Sequence, residues 1–200
     1  MRKILSILTT LAALLSAPAT ASTDFYHHKG GSVTSFYSIE DPGGCVRTDV
    51  TLNAWESLTK TGPGPFEPAP NLMLDIEQVD WCGLGYLRSA FGTSADFEIS
   101  VSNSTTTASV RGRVDLYDSV RGTTSSAEID LHWTGGDPLI VSTDNNFWFN
   151  GPSTRSLARG STRHREGEVT GAILYEGVDL TAGATGEGGI YSEQGSLVTI

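Results

Sequence analysis

The stretch SAEIDLHWTG, Ser126 to Gly135, carries an apolar side chain at every second position. Ala127, Ile129, Leu131 and Trp133 share one parity, and Glu128, Asp130 and His132 share the other. Successive side chains of an extended strand point to opposite faces, so this pattern buries one face and wets the other. Wound as a helix, the same residues would scatter around the axis and leave no apolar stripe. ASVRGRVDLY repeats the pattern, with Ala108, Val110, Val114 and Leu116 set against Arg111, Arg113, Asp115 and Tyr117. CVRTDVTLNAW does so again, with Val46, Val50, Leu52 and Ala54 set against Arg47, Asp49, Thr51 and Asn53.

Further strands are expected at Val33–Ile39, Tyr86–Phe91, Phe97–Ser102, Leu139–Ser142, Val169–Tyr175 and Leu197–Ile200. Asn103–Thr107 reads as a hairpin connection, and Thr61–Asn71, with four prolines, as a loop or a connector along a sheet edge. Helical runs between the strands, which an α/β fold requires, are missing. The expected fold is one all-β domain over residues 22–200, an antiparallel β-sandwich of about nine to eleven strands. A closed β-barrel is the alternative, because counting strands does not separate the two.

The first 21 residues read as a secretory signal peptide: Arg2 and Lys3, an apolar run Ile4–Ala17, and the cleavage site Ala19-Thr20-Ala21. That run is shorter than the roughly 20 residues of a spanning helix, so no membrane span is expected and the chain is placed outside the cell or in the periplasm. Without Arg2 and Lys3, 11 basic residues face 23 acidic ones, a net charge of −12. Such acidity argues against nucleic acid or an anionic membrane surface as partner. Export permits a disulfide, and Cys45 and Cys82 are the two cysteines of the chain, with neither C-x-x-C spacing nor an adjacent His to suggest a reactive or metal-bound pair.

In NLMLDIEQVDWCGLGYL, Leu72, Leu74 and Ile76 are expected in the core and Asp75 and Glu77 in water. Val79 and Trp81 then fall on the wet parity, and a β-bulge near Glu77–Gln78 would return both to the core and leave Asp80 outside. Asp75, Glu77 and Asp80, with His132, supply the carboxylates and base of an alternative reading as a secreted hydrolase. No zinc-type His spacing and no G-x-S-x-G elbow occurs, and neither a metal nor a cofactor is expected. His27 and His28 are placed in a flexible start, His132 on the outer face of a strand, and His164 in a charged loop.

The candidate ligand-binding residues lie in two neighbouring stretches. Phe147 and Trp148, with Phe149, cannot all enter one core from an extended strand, and Asp144, Asn146 and Asn150 ring them with hydrogen-bonding groups. An exposed aromatic among amides suits the face of a sugar. Arg155, Arg159, Arg163 and Arg165 reverse the local charge in what reads as a loop, and could clamp the carboxylates of an acidic polysaccharide.

GGCVRTDVTLNAWES and VDWCGLGYLRSAFG resemble a family of small secreted bacterial all-β proteins with one cysteine pair, a Gly-Cys-Val strand start and a later Cys followed by Leu-x-Ser-Ala-Phe-Gly. The resemblance implies a Cys45–Cys82 pairing within a single all-β domain, and it brings no activity and no functional residue. The functional expectation is a secreted, non-catalytic binding or surface-associated module with an extracellular glycan as ligand. An extracellular protein-interaction or inhibitor domain is a further alternative beside the hydrolase.

Overall fold

The computed structural model describes residues 24–150, 155–182 and 184–199, and for residues 144–150 and 155 it describes the backbone alone. The expected signal peptide lies outside the described residues. No helix occurs among the described residues, and eleven strands run β1 (Asp24–Glu40), β2 (Val46–Thr61), β3 (Glu67–Asp80), β4 (Gly85–Ser94), β5 (Phe97–Val101), β6 (Thr107–Asp118), β7 (Thr123–Gly135), β8 (Ile140–Asn150), β9 (Arg155–Tyr175), β10 (Val178–Asp179) and β11 (Gly186–Thr199).

All eleven belong to one antiparallel sheet. Its ladders lead from β11 through β1, β2, β3, β4, β6, β7 and β9 back to β11. The turn from β4 to β6 rests on two residue pairs only, Ala90 with Asp118 and Phe91 with Tyr117. The result fits an all-β, antiparallel, sandwich-like fold. Two interior hydrogen bonds join its layers: Trp133 Nε1 donates to the Thr34 carbonyl at 2.7 Å, and the Tyr37 hydroxyl to the Val169 carbonyl at 3.4 Å.

The alternating runs bury the parity expected of them. Ala127, Ile129, Leu131 and Trp133 are buried, as are Ala108, Val110, Val114 and Leu116, and Val50, Leu52 and Ala54. Each fully buried Leu or Ile contributes about 1.5–3 kcal/mol of transfer free energy. The interior is further filled by β5, whose Val101 packs against Gly31 of β1. A Cβ on Gly31 would stand 2.8 Å from Val101 Cβ, so the two strands meet this closely only because position 31 has no side chain.

Several local expectations are corrected. β3 pairs with β2 without interruption from Asp80 to Glu67, so no bulge interrupts β3. The register shift lies opposite, where Gln78 pairs with Arg88 and Val79 with Tyr86, leaving Leu87 as the extra residue of β4. Val79 and Trp81 therefore keep the outer parity: Trp81 is 52% exposed, with the Arg47 guanidinium 5.1 Å from its ring centroid. Asp80 does not join a wet face either. Its Oδ1 accepts the amides of Cys82 and Gly83 at 2.9 and 2.7 Å.

The proline-rich segment is partly strand, since Glu67–Asn71 pairs with β2. β4 begins its pairing only at Leu72, which leaves Pro68 and Pro70 on an edge that requires no donor. His27 and His28 belong to β1, and Arg155–Glu168 is the first half of β9 and not a loop.

The cysteines are bonded, Cys45 to Cys82, with Cα atoms 5.3 Å apart. Two aspartates shape the turns that present them. Asp80 caps one, and on the other Asp41 accepts the Cys45 and Val46 amides at 2.8 and 2.7 Å. The Val46 amide, with those of Cys45 and Gly43, holds the Asp41 carboxyl below the usual range against an opposing desolvation.

Candidate functional site

β1 carries only small residues on its outer face along Gly30, Ser32 and Thr34. Register places larger neighbours on both sides. Ser32 pairs with Tyr191 of β11 and with Trp55 of β2, Gly30 with Glu193 and Ser57, and Thr34 with Gly189 and Asn53. The outer face of β1 is thus the floor of a trough, walled by β11 on one side and β2 on the other. Its cavity measures about 490 Å³ and extends to Met73 and Thr162.

The walls are aromatic. Trp55 is 38% exposed. Tyr191 stacks on His164 of β9, its partner in register, at 4.2 Å between centroids and 4° between planes. That separation is close to the spacing of adjacent strands, so both rings stand side by side with their planes along the strands. The free face of Tyr191 consequently looks across Ser32 toward Trp55. Gly189 permits this placement: a Cβ there would lie 2.8 Å from Tyr191 Cε2 and 3.1 Å from His164 Nε2. The polar groups of the trough are the hydroxyls of Ser32, Ser57 and Thr162, the Asn53 amide and the Glu193 carboxylate, while Thr34 Oγ1 accepts the Gly189 amide at 3.1 Å. Two aromatic walls over a narrow polar floor offer CH–π contact and hydrogen bonding to one flat, hydroxylated ligand.

The residues singled out from sequence are divided among other places. The backbone of β8 sets Phe147 opposite Ala158, Trp148 opposite Leu157 and Asn150 opposite Arg155, with a register shift between Asp144 and Phe147. The side chains of Asp144, Asn146, Phe147, Trp148, Asn150 and Arg155 lie outside the described residues. Arg159, Arg163 and Arg165 share the parity of buried Val169 and point to the inner side of the sheet. Arg165 Nη1 meets Asp137 Oδ1 at 2.6 Å and the Gly136 carbonyl at 2.9 Å. Arg163 Nη1 donates to the Asn103 carbonyl at 3.0 Å. These two arginines tie β9 to the β5–β6 turn and to the segment after β7, and Arg159 faces the open end of the sandwich.

The carboxylates and His132 of the hydrolase reading do not converge. Asp75 and Glu77 stand on the outer parity of β3, Asp75 between Thr51 and Phe91, where burial raises its carboxyl pKa. His132 lies on β7, 3.2 Å from Asp130, with β4 and β6 between it and β3. Among the described residues no group of three His, Cys, Asp or Glu side chains is placed to hold a metal ion.

Sequence reasoning missed the trough, although one signal pointed to it. Trp55 continues the wet parity of Arg47, Asp49, Thr51 and Asn53, and a tryptophan on a wet parity marks an exposed aromatic. Tyr191 gave no such signal, because its glycine-rich surroundings lack alternation.

No protein-family model matches the chain, and no curated protein matches it. Among solved structures, a provisional AttH from Nitrosomonas europaea overlaps 86% of this chain at 11% identity and a TM-score of 0.34, and the chain spans half the length of that protein. An acetoacetate decarboxylase-like enzyme from Sphingomonas wittichii RW1 overlaps 87% of this chain and 90% of its own, at 11% identity and a TM-score of 0.26. The enduracididine biosynthesis enzyme MppR, solved with the condensation product of pyruvate and imidazole 4-carboxaldehyde, overlaps 86% of this chain and 87% of its own, at 12% identity and a TM-score of 0.27. Overlaps this loose carry no function across.

Proposed function

We propose that this protein is an exported, non-catalytic binding module whose ligand is a glycan, held in the outer trough along β1. The observation that carries the reading is Ser32, a small residue flanked in register by Trp55 on one strand and Tyr191 on the other. The trough from Gly30 to Thr34 is about 14 Å long at the rise of an extended strand, enough for two or three sugar rings in line. Export is supported by the layout of the first 21 residues and agrees with the Cys45–Cys82 disulfide. No helix among the described residues is long and apolar enough to cross a membrane.

A glycan array with the mature protein tests the reading, followed by titration of the best ligand. Trp55→Ala is expected to weaken binding about tenfold or more, the loss of one aromatic platform. A parallel Trp148→Ala variant separates the trough from the β8 aromatics. Full affinity in Trp55→Ala with loss in Trp148→Ala would move the site to β8, and an array without a hit would refute the glycan assignment.

A further inference from the structure

The trough carries charge of one sign. Glu56 and Glu193 are among the residues that line it, and no Lys, Arg or His is among them. Glu56 has the inner parity of buried Ala54 and presents its carbonyl oxygen, whereas Glu193 has the outer parity of Tyr191. Glu193 is exposed and forms no ion pair with a described residue. Its carboxylate leans over Gly30 of the floor. A Cβ on Gly30 would stand 3.2 Å from Glu193 Oε1 and 2.9 Å from the Glu56 carbonyl oxygen, so both oxygens border the space that the missing side chain leaves open.

The surrounding face has the same sign. Glu166 and Glu168 of β9 and Glu187 of β11 share the outer parity with Glu193, and Glu168 stands directly opposite Glu187 in register. Like charges so placed destabilise a sheet, and none of these three glutamates is ion-paired with a described residue. Among the described residues, Arg47 is the one arginine or lysine on the outer faces of β9, β11, β1 and β2, and it is committed to Asp49 at 2.9 Å.

Resting on the reading of the trough as a glycan site, we infer that its ligand is an amino sugar oligomer, stacked on Trp55 and Tyr191 and bound through an ammonium group to Glu193. Tyr191 and Glu193 are two residues apart on β11, about 7 Å at the rise of a strand. A ring stacked on Tyr191 thus brings the amino group of its neighbour to the Glu193 carboxylate. The ammonium gains a charge-assisted hydrogen bond there, and the faces of both aromatic walls attract the same positive charge. A uronate would meet Glu193 with like charge, and a neutral sugar would leave it without a counter-charge.

Calorimetric titration of the mature protein with β-1,4-linked trimers of glucosamine, N-acetylglucosamine and glucose tests it, at a pH that keeps the free amines protonated. The glucosamine trimer is expected to bind at least about tenfold more tightly than the other two, and several-fold more weakly as salt screens the charges. Glu193→Gln should remove that preference and leave the neutral trimers unchanged, Trp55→Ala should weaken all that bind, and Glu128→Gln on the outer face of β7 should alter nothing. Circular dichroism verifies folding, and the Gly30 and Glu193 amide shifts of the unmodified protein should move on adding the glucosamine trimer. Equal affinity for the three trimers, a preference retained in folded Glu193→Gln, or amides that stay in place would each overturn the inference. Neutral trimers that bind equally well and are lost in Trp55→Ala would overturn it while sparing the glycan reading. Glucosamine-trimer binding untouched by both Trp55→Ala and Glu193→Gln would reduce it to general charge attraction and overturn it too. No binding of any trimer overturns it as well, and the glycan array then decides whether the trough reading falls with it.

Discussion

Arg88 Nη2 donates to Glu176 Oε2 at 2.7 Å, joining residues 88 positions apart in the chain. The contact lies beside a short seam of the sheet, the two-pair ladder between β4 and β6. Arg121 reaches the same Glu176 oxygen at 3.2 Å, Ser125 bonds its other oxygen, and the Arg88 guanidinium lies 4.7 Å from the Tyr175 ring centroid. The turns after β6 and β9 are thereby fastened to β4. Arg88 is largely buried and Glu176 half-buried, so Arg88→Ala removes both the ion pair and the packing on Tyr175. We expect a loss of about 2–4 kcal/mol in urea unfolding, and a variant within 0.5 kcal/mol of the parent would show that the seam holds without it.

Asp118 sits at the centre of the same cluster. Burial pushes its carboxyl upward, but the amides of Arg121, Ser89 and Val120 and the charge of Arg121 outweigh it, so its pKa falls below the usual range. A folded-state pKa below the unfolded one gives stability that is present above about pH 4 and is lost as pH falls through the folded value. Asp118→Asn should therefore be less stable than the parent at neutral pH and lose less on acidification. Parallel unfolding curves between pH 6 and pH 2 check the slope, and identical slopes would contradict the assignment.

Tyr37 governs the alkaline limb. Burial foremost, then the charge of Asp179, raises its hydroxyl pKa to about 12. Ionisation is easier in the unfolded chain, near about pH 10, so its contribution is complete below that value and is lost as pH rises toward 12. Tyr37→Phe should flatten the decline in melting temperature above pH 10. Its neutral-pH cost should be about 1 kcal/mol, for the bond to the Val169 carbonyl.

Cys45 and Cys82 close a loop with a sequence separation of 37. On the chain-entropy account, replacing both by Ser destabilises the fold by about 4 kcal/mol. Thermal scans of the double variant should match those of the parent with reductant, and both should melt below the parent without it. A reductant effect in the double variant would point to another cause.

Gly189→Ala tests the construction of the trough without removing a contact group. The added methyl meets both Tyr191 and His164, so the stacked pair must shift. We expect the variant to bind glycan as weakly as Tyr191→Ala while its melting temperature changes little. Retained affinity would mean that Tyr191 does not set the wall.

The disulfide end shows how far pattern reading extends. Leu72, Leu74 and Ile76 are buried as their alternation implies. A bulge near Glu77–Gln78 of β3 would carry Trp81 into the core, and it is exposed because the extra residue lies in β4. A bulge shifts the face of the strand that contains it, and parity alone does not say which partner strand that is. The arginines of β9 illustrate a different limit. Glycines and serines between them erase the apolar alternation that marks a strand, so the segment read as loop.

The sequence by itself determined that this chain is an all-β, once-stapled domain. Alternation and the cysteine count are local properties, and local backbone geometry translates them directly into buried and wet faces. Only the tertiary structure decided which distant residues share a concavity. The trough exists because register sets Ser32 of β1 between Trp55 and Tyr191, residues far apart in the chain. Register between distant strands is fixed by the packing of the whole sheet, which no single stretch of sequence carries.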